Sequence, residues 1–474
     1  MLFAQDFPEQ VNVESFADNL LYVLAASAVV LVVAGLILID LGTAKRRNVL
    51  DLTVQRFIGF LIGTLSYFIV GYGIWIWQFN EAFAVDNALW EAIQAWWLGG
   101  DALNTYAQDL DPALFPAQNT FQIFASFLAL YAGFVCVLVH FAGAERLKAL
   151  PYYIMCVGIG GVAYPFVLYL TWGSVSPITT RGTHDFIGIF VAYIFAGTFG
   201  LMLAKRLGPR AGVFKPHPTL GDRGAPYNLG LTTVGVTLIL FAIPFIALGC
   251  GYWIPDVGYF GISLTTSGLG VVFNNVFIAF AVGGLVGGLI AYRTKNVLHA
   301  LLGPLAGYVA GSAAFDVVST WEMALIALFG PLFVWGVYEW LRRNGIDETK
   351  IIPLGLGAGI YGALVVGFVA WGDKTGGYFG LTEGTYAFQN AEINPFWQLV
   401  GIAVTVGIAV LSGLVLIVGL DKWIGIRVPH AEEVEGSDPS SWSVPPVGVD
   451  LAPSGGAAGL AGPAPSVHEP STGP

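Results

Sequence analysis

The sequence predicts an all-α, polytopic membrane protein of about eleven transmembrane helices, an inverted five-plus-five helix repeat followed by a final helix. Three observations carry this. Apolar residues make up 56% of the 474-residue chain and charged residues only 11%, with a mean hydropathy of +0.72, far outside the soluble range. Apolar runs long enough to cross a hydrocarbon core of about 30 Å as helix recur from end to end. Lysine and arginine gather in alternate connecting loops.

The runs lie near 19–40, 57–78, 119–143, 151–172, 186–204, 227–250, 272–292, 298–318, 320–341, 352–372 and 396–420. Lys45, Arg46 and Arg47 follow the first, Arg146 and Lys148 the third, and Lys205, Arg206, Arg210 and Lys215 the fifth. Arg293 and Lys295 follow the seventh, and Arg342 and Arg343 the ninth. Positive loops stay in the cytoplasm, so these ends are cytoplasmic, the N-terminus is outside and the C-terminus inside. The loop from Glu81 to Asp111 carries Asp86, Glu91, Asp101 and Asp109 without a lysine or arginine, as an outward loop should. If spans one to five form a unit, spans six to ten start from the opposite face and are inverted relative to it.

Residues 1–18 read as an extracellular segment, with Asp6, Glu9, Glu14 and Asp18 and no basic start or apolar centre of a cleavable signal, so the first span doubles as targeting element. Residues 19–430 form the membrane domain. Residues 431–474 are rich in Pro, Gly, Ser and Ala and read as an unstructured cytoplasmic tail. The net charge of −11 comes largely from outward loops and tail, fitting either solubility or attraction of cations to the outer mouth. Cys136, Cys156 and Cys250 lie in or at the ends of spans and read as packing residues. No metal-ligand cluster, nucleophile elbow or phosphate-cradling loop is present, so neither an enzyme nor a cofactor is expected.

Several separated motifs then carry a family resemblance. Ala17-Asp18-Asn19, Gly35-Leu36, Arg47-Asn48-Val49-Leu50 and Gly71-Tyr72-Gly73 are followed in order by Ala144-Glu145-Arg146, Tyr164-Pro165 and Trp172-Gly173. Thr183 to Tyr193, Lys205-Arg206-Leu207-Gly208-Pro209-Arg210, Phe214-Lys215-Pro216-His217 and Gly425-Ile426-Arg427-Val428-Pro429 with Glu432, Glu433 and Gly436 complete the series. Over roughly residues 17–436 the chain resembles the Amt/Mep/Rh ammonium transporter family. The resemblance implies a homotrimer in the lipid bilayer, each protomer with a narrow apolar pore for ammonium or ammonia. It also allows a PII-class regulator at the cytoplasmic face, with Lys215 and Arg223 as basic contacts that positive-inside topology explains more simply.

The resemblance assigns pore positions residue by residue. Trp172 stands where an outer aromatic face offsets ammonium dehydration by cation–π attraction, or serves as an interfacial belt tryptophan. Tyr131 occupies the place of a gate phenylalanine. The sixth span has lost the family's signature, and Phe245 there is either the second gate ring or a packing residue, with Pro244 beside it. Asp185 matches an aspartate at the start of the fifth span and is expected to cap that helix rather than bind an ion. Asn275 matches an asparagine that satisfies polar groups between helices.

The family's two facing pore histidines are absent. The first aligns with Tyr193 and the second with Gly355, and no histidine, aspartate or glutamate occurs in 186–204 or 352–371. Tyrosine is a poor proton relay at neutral pH, and glycine supplies no side chain. The space opposite Tyr193 either holds water or is closed by neighbours. His140 and His299, near cytoplasmic ends of spans, are candidates for compensation or polar interface residues; Tyr361 is read as helix packing. Two functions follow: an ammonium or ammonia transporter or channel with a divergent pore, or a non-conducting ammonium sensor on the same scaffold.

Overall fold

The computed structural model describes residues 13–96, 118–173, 176–218, 220, 226–254, 258–261, 266–375 and 391–442. The apolar runs fold into helices α1 (Val13–Thr43), α2 (Arg46–Ala82), α3 (Gln118–His140), α4 (Ala149–Trp172), α5 (Ile189–Leu207) and α6 (Leu229–Gly249). They continue as α7 (Leu269–Thr294), α8 (Leu298–Gly311), α9 (Thr320–Arg343), α10 (Pro353–Val369) and α11 (Pro395–Ile424). Among the described residues nine are long and apolar enough to cross a membrane; α8 and α10 are apolar but shorter. The reason is local. Residues 312–318, counted by hydropathy with the eighth span, leave the helix, and α10 is preceded by a capped turn at Glu348. Non-helical backbone at such depth survives only where protein groups satisfy it. Asn275 Nδ2 does so for the 312–318 segment, donating to the carbonyls of Phe315 at 2.9 Å and Val318 at 2.8 Å.

Close pairs of helices repeat across the two halves. Gly35 of α1 packs against the backbone of Gly235 in α6, and Gly63 of α2 against Gly133 of α3. Gly283 and Gly287 of α7 pack on Gly303 and Gly307 of α8, the counterpart of α2 on α3. Helices α5 and α10 are antiparallel: the end of α5 leads to Arg210, which binds Asp347 before α10, while His184 before α5 meets Thr375 after α10. Each starts with an acid that receives the first amides, Asp185 for α5 and Glu348 for α10, and each opens with a π-helical turn. This is the inverted plan, visible in contacts where the two halves share no obvious sequence.

The basic loops assemble on one face with the tail. Arg210 binds Asp347 at 2.6 and 2.7 Å and Glu145 at 3.2 Å; Arg146 donates to the Asp347 carbonyl at 2.8 Å. Glu145 accepts from Asn48 at 3.1 Å, joining the α1–α2, α3–α4, α5–α6 and α9–α10 connections. The expectation of a structureless tail from residue 431 is corrected for its start. Residues His430–Glu435 and Ser437–Trp442 are short helices, and Glu433 accepts from Ala211 N at 2.7 Å. Asp438 caps α2 through Leu50 N at 3.0 Å and Asp51 N at 2.8 Å, and Trp442 Nε1 donates to Asp51 at 3.0 Å. Polar capping, not apolar burial, holds this segment, which is why composition missed it. Residues 1–12 and 443–474, Asp101, Asp109 and Arg223 lie outside the described residues.

Large apolar side chains remain exposed on the outer helix surfaces, among them Leu285, Leu289 and Tyr292 of α7 and Trp423 of α11. Such a belt is what a hydrocarbon solvent covers.

Candidate transport path

At the centre of the bundle lies a column of aromatic rings. Trp172, at the end of α4, is wholly buried, and its Nε1 donates to the carbonyl of Phe186 at 3.1 Å. Its ring centroid is 6.2 Å from Tyr131 and 6.4 Å from Phe127. Burial excludes the belt reading. Tyr131 in turn touches Tyr164 at 6.3 Å and Phe134 at 5.1 Å, and its hydroxyl donates to the carbonyl of Ile187 at 2.7 Å. That carbonyl precedes Gly188, whose φ of +91° turns the chain into α5. A Cβ at Gly188 would meet the Tyr131 hydroxyl at 2.7 Å, so both backbone sign and space favour glycine.

Phe245 does not share this column. It is partly buried in α6 with its ring 5.3 Å from Phe241, itself 59% exposed. The ring neighbours of Tyr131 are Phe127, Phe134, Tyr164 and Trp172, so the pairing of Tyr131 with Phe245 as two gate rings is corrected. Pro244, beside Phe245, sits within a continuous helix.

Tyr193, in the opening turn of α5, is buried with its ring 6.0 Å from Tyr308 of α8 at 81°. Tyr308 stacks on Phe315 at 5.7 Å and 24°. Gly355 lies against the backbone of α5: its Cα is 3.0 Å from where a Cβ on Gly197 would sit, and a Cβ on Gly355 would overlap the Tyr193 carbonyl oxygen. The space opposite Tyr193 is therefore closed by neighbouring backbone. The residue facing the Tyr193 ring comes from α8, not α10, and alignment on the lost histidines gave no signal for it.

Asp185 acts as a helix cap. Fully buried, its Oδ1 accepts from Gly188 N and Ile189 N, both at 2.9 Å, and Oδ2 from Phe190 N at 3.3 Å. Burial pushes its carboxyl up to about 6 against the pull of those amides. Asn275 spends its amide on the 312–318 carbonyls described above.

The neighbour of Asp185 has the more unusual setting. His184 is wholly buried; its Nε2 lies 3.0 Å from Asp316 Oδ1 and its Nδ1 3.0 Å from Thr375 Oγ1. Gln398 of α11 clamps its backbone, accepting from His184 N at 2.9 Å and donating to His184 O at 3.0 Å. Sequence reasoning passed over this group because its members are spread over three connections and the start of α11, and His184 falls just outside the apolar run. His140, expected as a polar residue near the membrane interface, is instead 1% exposed and joined to Arg56 and Gln55 near the basic face. His299 is half-buried edge-on to Tyr338 at 5.2 Å, beside a separate cavity of about 20 Å³ lined by Asn296 and Thr349. Tyr361 stacks on Phe333 at 4.5 Å, away from the column.

Nine long and two shorter apolar helices, with two antiparallel acid-capped helices meeting over buried rings, define a multi-pass membrane protein of the inverted-repeat transporter or channel class. The sequence profile of the Ammonium Transporter Family matches residues 20–443, and the chain belongs to that family. It is 24% identical over 435 residues to ammonium transporter Amt1 of Methanocaldococcus jannaschii, covering 89% of this chain and 94% of the relative. It is 26% identical over 432 residues to the ammonium transporter of Bacillus subtilis, covering 89% and 96%. Among solved structures, one titled Sensor Amt Protein superposes with a TM-score of 0.69 at 20% identity, over 91% of this chain and 99% of its own. Candida albicans Mep2 gives 0.69 at 18% identity over 91% and 90%. These structural likenesses concern the fold.

Proposed function

We propose that the chain moves ammonium or ammonia across a cell membrane along the aromatic column built from α3, α4, α5 and α8. The observation that supports this best is the column itself: Trp172, Tyr131, Tyr193 and Tyr308 stand in sequence beside the acid-capped start of α5, within a chain whose relatives are named as ammonium transporters. Aromatic faces attract a cation by about 0.5–2 kcal/mol each, which offsets part of the cost of shedding water. The column's own side chains are apolar rings and phenols, which suit passage of a neutral molecule better than a bare charge.

In this reading the basic face and the tail are cytoplasmic, the N-terminus is outside, and the exposed apolar belt serves lipid contact and assembly as a homotrimer. A PII-class regulator would approach the same basic face. Reconstituted protein in liposomes provides the test: uptake of ammonium or methylammonium above empty vesicles is expected, with current recorded in parallel. Flux no greater than in empty vesicles sinks the transporter reading and leaves the closed column to a non-conducting sensor. Flux unchanged in Tyr193→Phe removes the Tyr193 hydroxyl from the mechanism.

A further inference from the structure

Among the described residues two histidines, His140 and His184, are buried, and they differ in what their partners permit. At His140, Arg56 Nε approaches Nδ1 at 3.2 Å, and a guanidinium only donates, so Nδ1 must accept and Nε2 donates to Gln55 Oε1 at 3.0 Å. A second proton there would face Arg56. At His184, Nε2 faces the Asp316 carboxylate, an acceptor, while Nδ1 faces the Thr375 hydroxyl, which can donate or accept by rotating. The ring can therefore carry one proton or two with no heavy atom moving, and the second charge is balanced by Asp316.

Acidic side chains surround His184. Asp185 precedes α5 beside it, Asp316 faces it from the turn after α8, and Asp373 from the turn after α10, with Glu322 acting on Asp373. The Cys250 thiol lies near Asp185 and Asp316, and Lys374, next to Thr375, is paired with Glu392 at 2.7 Å.

The site also adjoins the column. Phe186, two residues on, holds Trp172 through its carbonyl, and its ring centroid lies 6.4 Å from that of Phe315, the neighbour of Asp316 that stacks on Tyr308. It stands at the end of the bundle opposite the basic face.

We propose that His184, Asp316 and Thr375 form the proton-accepting site of this transport path. The inference rests on ammonium being the cargo. One N–H bond of ammonium breaks, its electron pair stays on nitrogen, and ammonia enters the column. The Thr375 hydroxyl takes that proton and passes its own to His184 Nδ1, and the imidazolium stays neutralised by Asp316 until the proton returns to water.

The test uses full-length protein in liposomes, with ammonium-triggered charge movement and neutral ammonia flux recorded between about pH 5 and 8. Wild type is expected to show pH-dependent charge movement. In His184→Gln and in Thr375→Val that movement falls at least about tenfold with ammonia flux retained, and in Asp316→Asn the midpoint of the pH profile shifts by about one unit, equivalent to about 1.4 kcal/mol. Thr375→Val keeps the side-chain shape and carries the test if His184→Gln fails to fold. Absence of any flux in wild type overturns this inference together with the transport reading. Ammonium flux with a wild-type pH profile in both His184→Gln and Thr375→Val overturns this inference alone.

Discussion

His140 and His184 stand at opposite ends of one bundle, equally hidden from water, and their surroundings could hardly differ more. Near His140 the interior is ionic: Arg56 binds Asp40 at 2.5 Å, Lys350 also reaches Asp40, and Gln55 relays to Asp51, which holds Trp442 of the tail. A short step away, Arg210, Arg146, Glu145 and Asp347 form a second buried cluster. Near His184 the carboxylates of Asp316 and Asp185 are held by the imidazole and by backbone amides, and along the column the interior is made of rings and hydroxyls, where phenols such as Tyr131 and Tyr164 donate to backbone carbonyls. Depth therefore does not decide what a histidine does; the donors and acceptors pinned against its two nitrogens do. One end is built to stay in a single charge state, and the other tolerates two.

Removing charge from the ionic end should produce the largest effect. Arg210→Ala leaves Asp347 and Glu145 buried with fewer partners, and a loss of about 3–5 kcal/mol is expected, read as a lowered unfolding midpoint in detergent. Lys374→Ala, in an exposed pair, is the reference and should cost no more than about 1 kcal/mol. Equal midpoints for the two variants would break the contrast between buried and surface charge. At the crossing of α5 and α10, Gly355→Ala must push the Tyr193 carbonyl aside, with an expected cost of about 1–3 kcal/mol and reduced flux. A melting curve and flux identical to wild type would mean the two helices have slack there.

Tyr131→Phe tests the neutral end. The ring stays and the Ile187 carbonyl loses its donor, so a cost of about 1–2 kcal/mol is expected, with altered hydrogen exchange at Gly188 and Ile189. A stabilised variant would show that the hydroxyl serves a ligand rather than the backbone. The smallest effect is expected from Asp438→Ala, about 1 kcal/mol and local to the cap. Exchange should rise at Leu50, Asp51 and 430–442 while the unfolding midpoint of the whole protein stays put; a global shift would instead make the tail part of the ionic core.

Much of the scaffold was legible because hydropathy runs and loop charge report burial in lipid directly. The alternate basic loops do gather on one face, and Asp185 falls at a helix start where an acid is expected to receive amides. What sequence could not supply was partnership across distance. Nothing local marks Asp316 as the partner of His184, 132 residues away. Nothing marks Tyr308 as the ring facing Tyr193, because a tyrosine in an apolar run looks like any packing residue. The alignment identified Gly355 as a missing side chain, whereas its structural meaning is a close backbone approach. Phe245, left open between gate ring and packing residue, has its ring 5.3 Å from Phe241 on the same helix, a contact that no local pattern marks. Composition also hid the tail, since one tryptophan and a few caps are enough to order residues 430–442.

The backbone contact between Gly355 and Tyr193 has a mechanical consequence. Two repeats that touch main chain to main chain cannot rock apart about that point without first tearing that close seam. Any opening must then come from rings swinging on their own torsions, motions of nanoseconds to microseconds rather than the slower rocking of whole domains. A molecule so jointed behaves as a sieve with moving slats: its throughput should vary little with temperature and show no saturation by a slow return step.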